Sequence, residues 1–279
     1  MSCDKTSFAI KTTNWCNLNC AHCSECSGPR VRPDIMPLAD VERYIAEFNA
    51  MPIPRWEYMV FTGGEAMAPY YHKQMDYVPR CLDFAAQHKM APFVKTNAVW
   101  GADAEMRNRI LRDFANAAYR NNILMSLDIS VDEFHNNERG VLAIINDVVR
   151  SDFLAPAVRL SIVSLNTQKS NIAMLRLIQG LQTLGFNINH KDKGVWVIEL
   201  PGVRAMQIYY DVWTNVSRVG RAAENNLGTF VPAGQPDDVT GNCLQIDNKN
   251  IATLNYKYQT PVNGRKVYDV ARELFLKTR

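Results

Sequence analysis

The chain has 279 residues, of which 47% are apolar and 21% charged, with a formal net charge of +3. That apolar content can bury a large core and excludes a disordered chain. The even charge balance, with no Lys/Arg block, gives no electrostatic footprint for nucleic acid. No apolar run reaches the roughly 18 residues of a membrane span, and Met1-Ser2-Cys3-Asp4-Lys5 lacks a signal-peptide core, so a cytoplasmic protein with no membrane partner is expected.

Residues 5–13 read as a short strand rich in β-branched side chains. The next stretch holds Cys16, Cys20, Cys23 and Cys26, four of the seven cysteines within eleven residues. A disulfide scaffold would spread its cysteines over a small secreted chain, whereas clustered thiols in a reduced compartment point to metal or redox chemistry. Residues 37–51 carry Leu38, Val41, Tyr44, Ile45 and Phe48 at spacings of three and four, an amphipathic helix. A strand over 58–62 ends at Gly63-Gly64-Glu65, and a helix spans 71–88. A strand over 92–96 leads into Thr96-Asn97-Ala98, and a helix covers 103–118. A strand over 123–127 leads into Ser126-Leu127-Asp128, followed by His135, Arg139 and a helix over 140–149. A strand over 158–164, a helix over 171–184 and a sixth strand over 205–210 complete the alternation. Gly, Asn, Pro and Asp dominate residues 220–242, one or two strands fall in 245–258, and a helix over 268–276 closes the chain.

Strand–helix alternation repeated about five and a half times implies an α/β protein with a parallel sheet, because parallel strands need crossover helices. Six such units curl into an incomplete barrel. In parallel barrels the active site lies at the C-terminal strand ends, and each motif above follows a predicted strand. The expected division is a partial (β/α)6 barrel over residues 1–215 and a short extension over 216–279.

Cys16-x3-Cys20-x2-Cys23 is the strongest signal. Three thiolates on a short loop suit an iron–sulfur cube with one iron left open. Cys26, at a further x2 interval, also allows zinc bound by four thiolates or a closed electron-transfer cluster. Gly63 and Gly64 permit close backbone approach, and Glu65 offers a carboxylate for an ammonium group. Read alone, this segment is also an ordinary turn.

Together these residues resemble the radical SAM superfamily, whose CxxxCxxC motif occupies the loop after the first strand of a partial (β/α)6 barrel. The resemblance implies that Cys16, Cys20 and Cys23 ligate one [4Fe–4S] cluster, with His22 where the family usually has an aromatic ring and Cys26 a loop thiol. It implies that the open iron binds S-adenosylmethionine (SAM), with Gly63, Gly64 and Glu65 at its amino group. Asn97 would make a polar contact, Ser126 and Asp128 would face the ribose and cluster, and Arg139 would pair with the carboxylate. A second register, Ser130-x-Asp132, exists for the fourth strand, and spacing to His135 and Arg139 favours the first. Gly220-Arg221-Ala222 resembles the SPASM group, whose extension binds auxiliary clusters. Here the tail holds Cys243 alone, so a single cluster is expected, with the tail as a cover.

The implied activity is reductive cleavage of SAM, fed by an electron donor such as a flavodoxin or ferredoxin. The resulting 5′-deoxyadenosyl radical takes a hydrogen atom from a substrate. The SPASM-like tail favours a peptide, modified by epimerisation, cross-linking or a similar step, with Cys243 as a candidate hydrogen donor and Cys26 and Cys81 as others. The barrel's start by residue 6 leaves no separate domain for a leader peptide, which favours a small metabolite or nucleotide-like substrate. Tyr209, Tyr210 and Asp211 are candidate substrate contacts. A third reading is a non-catalytic iron–sulfur or zinc protein.

Overall fold

The structure, a computed structural model, describes residues 5–192, 195–213, 225, 242–254 and 258–276. The first strand, β1 (Thr6–Lys11), is buried along almost its whole length. Helix α1 (Leu38–Asn49) buries Val41, Tyr44, Ile45 and Phe48, the stripe that lays a helix on a sheet. Phe48 stacks on Phe8 of β1 with ring centroids 4.3 Å apart. After β2 (Arg55–Thr62) comes a short helix α2 (Ala68–Tyr71), and the helix expected over 71–88 begins only at Tyr77, as α3 (Tyr77–Gln87). Lys73 lies between them with φ of 61°, a left-handed conformation that a right-handed helix of L-residues does not pass through.

β3 (Ala91–Thr96), a 3₁₀ turn (Val99–Ala102), α4 (Ala104–Asn121), β4 (Met125–Ser130), α5 (Glu138–Arg150), β5 (Val158–Leu165) and α6 (Gln168–Thr183) follow. Asp103 caps α4 by accepting the Met106 amide at 3.0 Å, and Asn122, at φ 52°, ends that helix.

The reading differs from the structure after α6. An antiparallel hairpin, β6 (Asn187–Asp192) and β7 (Val195–Leu200), precedes β8 (Arg204–Trp213). Burial of Trp196, Ile198 and Leu200 shows the alternation that marks β7 as a strand. β8 still lies parallel to β5 as the sixth barrel strand, with the hairpin beyond it at the edge. The chain then returns to the first strand. β9 (Asn242–Asp247) runs parallel to β1, from Thr6 opposite Asn242 to Lys11 opposite Asp247. β10 (Ile251–Leu254) and β11 (Tyr258–Pro261) extend the sheet antiparallel, and α7 (Val267–Leu276) packs over them. The described strands form one sheet in the order β11-β10-β9-β1-β2-β3-β4-β5-β8-β7-β6, with β9 to β8 parallel throughout.

Register separates the two faces. Ile246, Ile10, Phe61, Val94, Leu127 and Leu160 are successive partners across six strands, and all are buried. This row faces the helices. The next residue in each strand points the other way. There Lys11 pairs with Asp247 and Thr62, and Lys95, Asp128, Ser161 and Tyr209 follow one another across β3, β4, β5 and β8. The face away from the helices, called the open face below, thus carries a polar band just under the C-terminal strand ends. Among the described residues, no helix is long and apolar enough to cross a membrane.

Candidate functional site

The cysteine loop leaves β1 and closes on itself. Thr13 bridges to Ile35, Trp15 bridges to Gly28, and the Met36 amide donates to the Thr12 carbonyl at 2.8 Å. Cys16 is buried, Cys20 and Cys23 are half-buried, and Cys26 is exposed with φ of 53°. No disulfide joins them. Sulfur receives N–H donors. The Leu18 amide and the Asn97 Nδ2 donate to Cys16 Sγ at 3.4 and 3.5 Å, and the Ser27 amide donates to Cys23 Sγ at 3.4 Å. Burial, reinforced by Glu65, pushes the Cys16 thiol up to about 11. A coordinating metal reverses that preference and deprotonates the thiol.

Gly63 and Gly64 serve this loop directly. The Gly64 amide donates to the Thr13 carbonyl at 2.7 Å and the Glu65 amide to the Trp15 carbonyl at 2.8 Å. A Cβ on Gly64 would stand 2.0 Å from the Trp15 carbonyl oxygen, and one on Gly63, whose φ is +124°, 2.4 Å from that of Thr13. The close approach that demands glycine here is backbone against the segment leading into Cys16.

The Glu65 carboxylate is buried and accepts three hydrogen bonds, from the Met67 amide (3.0 Å), the Thr96 hydroxyl (2.7 Å) and the Asn97 amide (2.9 Å). Burial raises its pKa against the pull of these donors. A carboxylate offers about four acceptor positions, so three protein donors leave room for one more. Thr96 is the hub that sequence reasoning missed. Its hydroxyl also accepts from the Ala98 amide and Trp100 Nε1. Ala98 has φ of 53°, a position that favours glycine.

The fourth strand contributes from beyond its end. Asp132 is buried, lies 2.8 Å from His135 Nδ1 and accepts the Phe134 amide at 2.9 Å. Phe134 stacks on His22 at 4.3 Å, and its carbonyl accepts from Cys20 Sγ at 3.5 Å. His22, Asp132 and His135 place ligating atoms within 4.8 Å of one another. Asn137 donates Nδ2 to the carbonyls of Asn97 and Ser130, tying the ends of β3 and β4 together. Of the two registers, Ser130-x-Asp132 is therefore the one that meets the cysteine loop. Asp128 lies down the strand on the open face, with Lys95 Nζ at 3.7 Å and the Ser161 hydroxyl donating to it. Ser126 is buried two residues further down.

Other expected residues stand apart. Arg139 is exposed in the first turn of α5. The backbone of Cys243 lies opposite Ser7 in β9, near the end of β1 away from the cysteine loop. Cys81 is fully buried in α3, and burial raises its thiol pKa far above the usual range. Gly220-Arg221-Ala222 lies outside the described residues. Asn225 donates Nδ2 to the Ala21 carbonyl at 2.9 Å.

The Radical SAM superfamily profile matches residues 10–155, just over half of the chain and the span that builds this site. The chain belongs to the radical SAM superfamily. Members of this enzyme superfamily bind a [4Fe–4S] cluster and SAM. The donor set fits the cluster: three thiols on one loop, with N–H groups directed at two of the sulfurs. Among solved structures the chain is similar to Streptococcus suis SuiB bound to S-adenosylmethionine, at 12% identity and a TM-score of 0.57, covering 96% of this chain and 65% of SuiB. It is also similar to BtrN in complex with AdoMet and 2-DOIA, at 11% identity and a TM-score of 0.47, covering 95% of this chain and 81% of BtrN. The chain thus spans just under two thirds of SuiB's length, and a likeness at this identity is one of fold. No curated protein matches it in sequence.

Proposed function

We propose that this protein is a cytoplasmic radical SAM enzyme carrying a single [4Fe–4S] cluster on Cys16, Cys20 and Cys23, reduced by a flavodoxin- or ferredoxin-type donor. The single observation that carries this is the lock between two motifs. The Gly64 and Glu65 amides hold the carbonyls just ahead of Cys16, and Asn97 binds both the Cys16 sulfur and the Glu65 carboxylate. When bound and reduced, the cluster and SAM supply a 5′-deoxyadenosyl radical able to take hydrogen from a substrate C–H bond.

The protein's own part is positioning. Glu65, with one acceptor position beyond its three donors, suits the cofactor's ammonium, beside the Gly63-Gly64 backbone and Asn97. The family resemblance offers Arg139, exposed in the first turn of α5, for the carboxylate, and Asp132 and His135 stand beside His22 of the cysteine loop. Ser126 and Asp128, down the strand on the open face, belong on the substrate side. We leave Cys243 out of this reading, because its register four residues below Asp247 separates it from the level of Lys11 by roughly 13 Å of strand. The residues from 216 onward form the extension to the barrel of residues 1–215. The Asn225 contact to the cysteine loop supports its role as a cover.

A peptide substrate is the reading we adopt, on the resemblance of Gly220-Arg221-Ala222 to the SPASM group. Anaerobic reconstitution tests the chemistry. About four irons per chain and 5′-deoxyadenosine released on reduction are expected. Zinc in place of iron, or no SAM cleavage, overturns it. A precursor-peptide frame beside the gene, with a mass change in that peptide on co-expression, tests the substrate.

A further inference from the structure

We propose that Arg159 anchors a carboxylate of the substrate on the open face of the sheet. This inference rests on the radical SAM reading and names a feature of its substrate. Arg159 is the second residue of β5, half-buried, and shares a face with Ser161. Its guanidinium lies over the Tyr209 ring, 5.5 Å from the centroid. Arg159 is opposite Ser126, two residues toward the N-terminal strand ends from the row of Asp128, Ser161 and Tyr209, and its guanidinium reaches the Tyr209 ring of that row.

Arg159 differs from the chain's other well-placed arginines. Arg43, Arg107, Arg109, Arg120, Arg204 and Arg265 each hold a carboxylate. Arg159 has no carboxylate within ion-pair distance among the described side chains. The carboxylate on the adjacent strand, Asp128, is committed elsewhere, to Lys95 and the Ser161 hydroxyl. A half-buried guanidinium over an aromatic face is restrained in position, yet its five donors meet no anion among the described side chains. A planar carboxylate suits the guanidinium fork, which takes it through two parallel N–H···O bonds.

The carboxylate can come from an acidic side chain of a peptide or from a small carboxylic acid, and the test separates these sources. The probes are Gly-Gly-Glu-Gly-Gly, Gly-Gly-Gln-Gly-Gly, glutarate and glutaramide. Binding to the reconstituted, SAM-loaded enzyme is measured by ligand-observed NMR. The proposal expects one carboxylate probe, peptide or glutarate, to bind about tenfold tighter than its neutral amide counterpart. Which probe shows the preference identifies the source. Arg159→Gln should reduce the preference to less than twofold, and Arg159→Lys should keep part of it. Iron content and substrate-free 5′-deoxyadenosine release in the variants should match the parent enzyme, which separates a lost anchor from a lost fold. No preference for either carboxylate in the parent enzyme, or an undiminished preference in Arg159→Gln, overturns the proposal. Absence of iron or SAM cleavage in the parent enzyme instead overturns the underlying reading.

Discussion

The side-chain amide of Asn97 lies 3.5 Å from the sulfur of Cys16, although 81 residues separate them. The same amide donates to Asn17 Oδ1 at 2.8 Å, and its carbonyl end accepts the Val99 amide. The end of the third strand thus holds the first cysteine of the motif. Replacing Asn97 with Leu removes a donor from a sulfur ligand and strands Asn17. Groups that orient a metal ligand typically account for 10–100-fold in affinity or activity. SAM cleavage by Asn97→Leu should fall by at least about tenfold. The cluster potential should shift to more negative values, since the reduced, more anionic cluster loses a hydrogen bond. Protein-film voltammetry and 5′-deoxyadenosine assays check both.

Gly64→Ala should disable the cysteine loop from a distance. The new Cβ would meet the Trp15 carbonyl oxygen at 2.0 Å, and that neighbour is backbone that cannot rotate away. Overpacking of this kind costs about 1–3 kcal/mol, and the loop must move for the chain to fold. Reduced iron per chain, together with a lower urea midpoint of the apo chain, is the expected result. Full iron loading in Gly64→Ala would refute the steric account.

Cys26 should be dispensable. It is exposed and lies in a left-handed turn, whereas Cys16 is buried beneath two N–H donors. Cys26→Ser should therefore retain about four irons per chain, as a cube on three protein thiolates requires. Cys16→Ala, Cys20→Ala and Cys23→Ala should each lose the cluster. Iron and sulfide analysis after anaerobic reconstitution separates this from a four-thiolate site, in which Cys26→Ser would behave like the others.

His22 is expected to act through its ring rather than as a metal ligand. It stacks on Phe134 at 4.3 Å, so His22→Phe keeps an aromatic pair and should change SAM cleavage less than about twofold. His22→Ala forfeits the pair, a loss of about 0.5–1.5 kcal/mol in stability beyond its buried area. If His22, Asp132 and His135 instead formed a mononuclear metal site, His22→Phe would release an equivalent of metal, which elemental analysis would detect.

Asp132 should make apo-chain stability depend on acid pH. Burial alone would raise its carboxyl, but the His135 hydrogen bond, the charges of His135 and His22 and the Phe134 amide together hold it below the usual value. A carboxyl depressed by folding stabilises the native state above its unfolded pKa and loses that contribution as pH falls through the folded one. The stability advantage of the parent chain over Asp132→Asn should thus be full near neutrality and vanish below the carboxylate range. Urea unfolding across pH 7 to about 3 measures it, and a constant difference would count against the assignment.

Much of this molecule was legible in its residues. Alternating strand and helix periods placed the six barrel strands, and the stripe of Val41, Tyr44, Ile45 and Phe48 placed α1 on the sheet. The three cysteines and the two glycines were visible because their chemistry and spacing are local. The hairpin before β8 is less legible, because the alternation of Trp196, Ile198 and Leu200 spans only six residues, too short a run for periodicity alone to mark a strand. Sequence spacing to His135 and Arg139 favours Asp128 over Asp132. Which of the two meets the cysteine loop depends on where β4 stops at Ser130 and the chain turns toward Phe134 and His22.

By itself, then, the order of residues determined the parallel α/β plan and the loop that carries the thiols, because hydrophobic period and motif spacing act over a few residues. Only the tertiary structure decided that β9 lies beside β1, that Asn97 reaches Cys16, and that Arg159 lies over the Tyr209 ring. Those relations join residues dozens to hundreds of positions apart. They are set by strand register and by which side chains find partners once the sheet is assembled, and no local pattern encodes them.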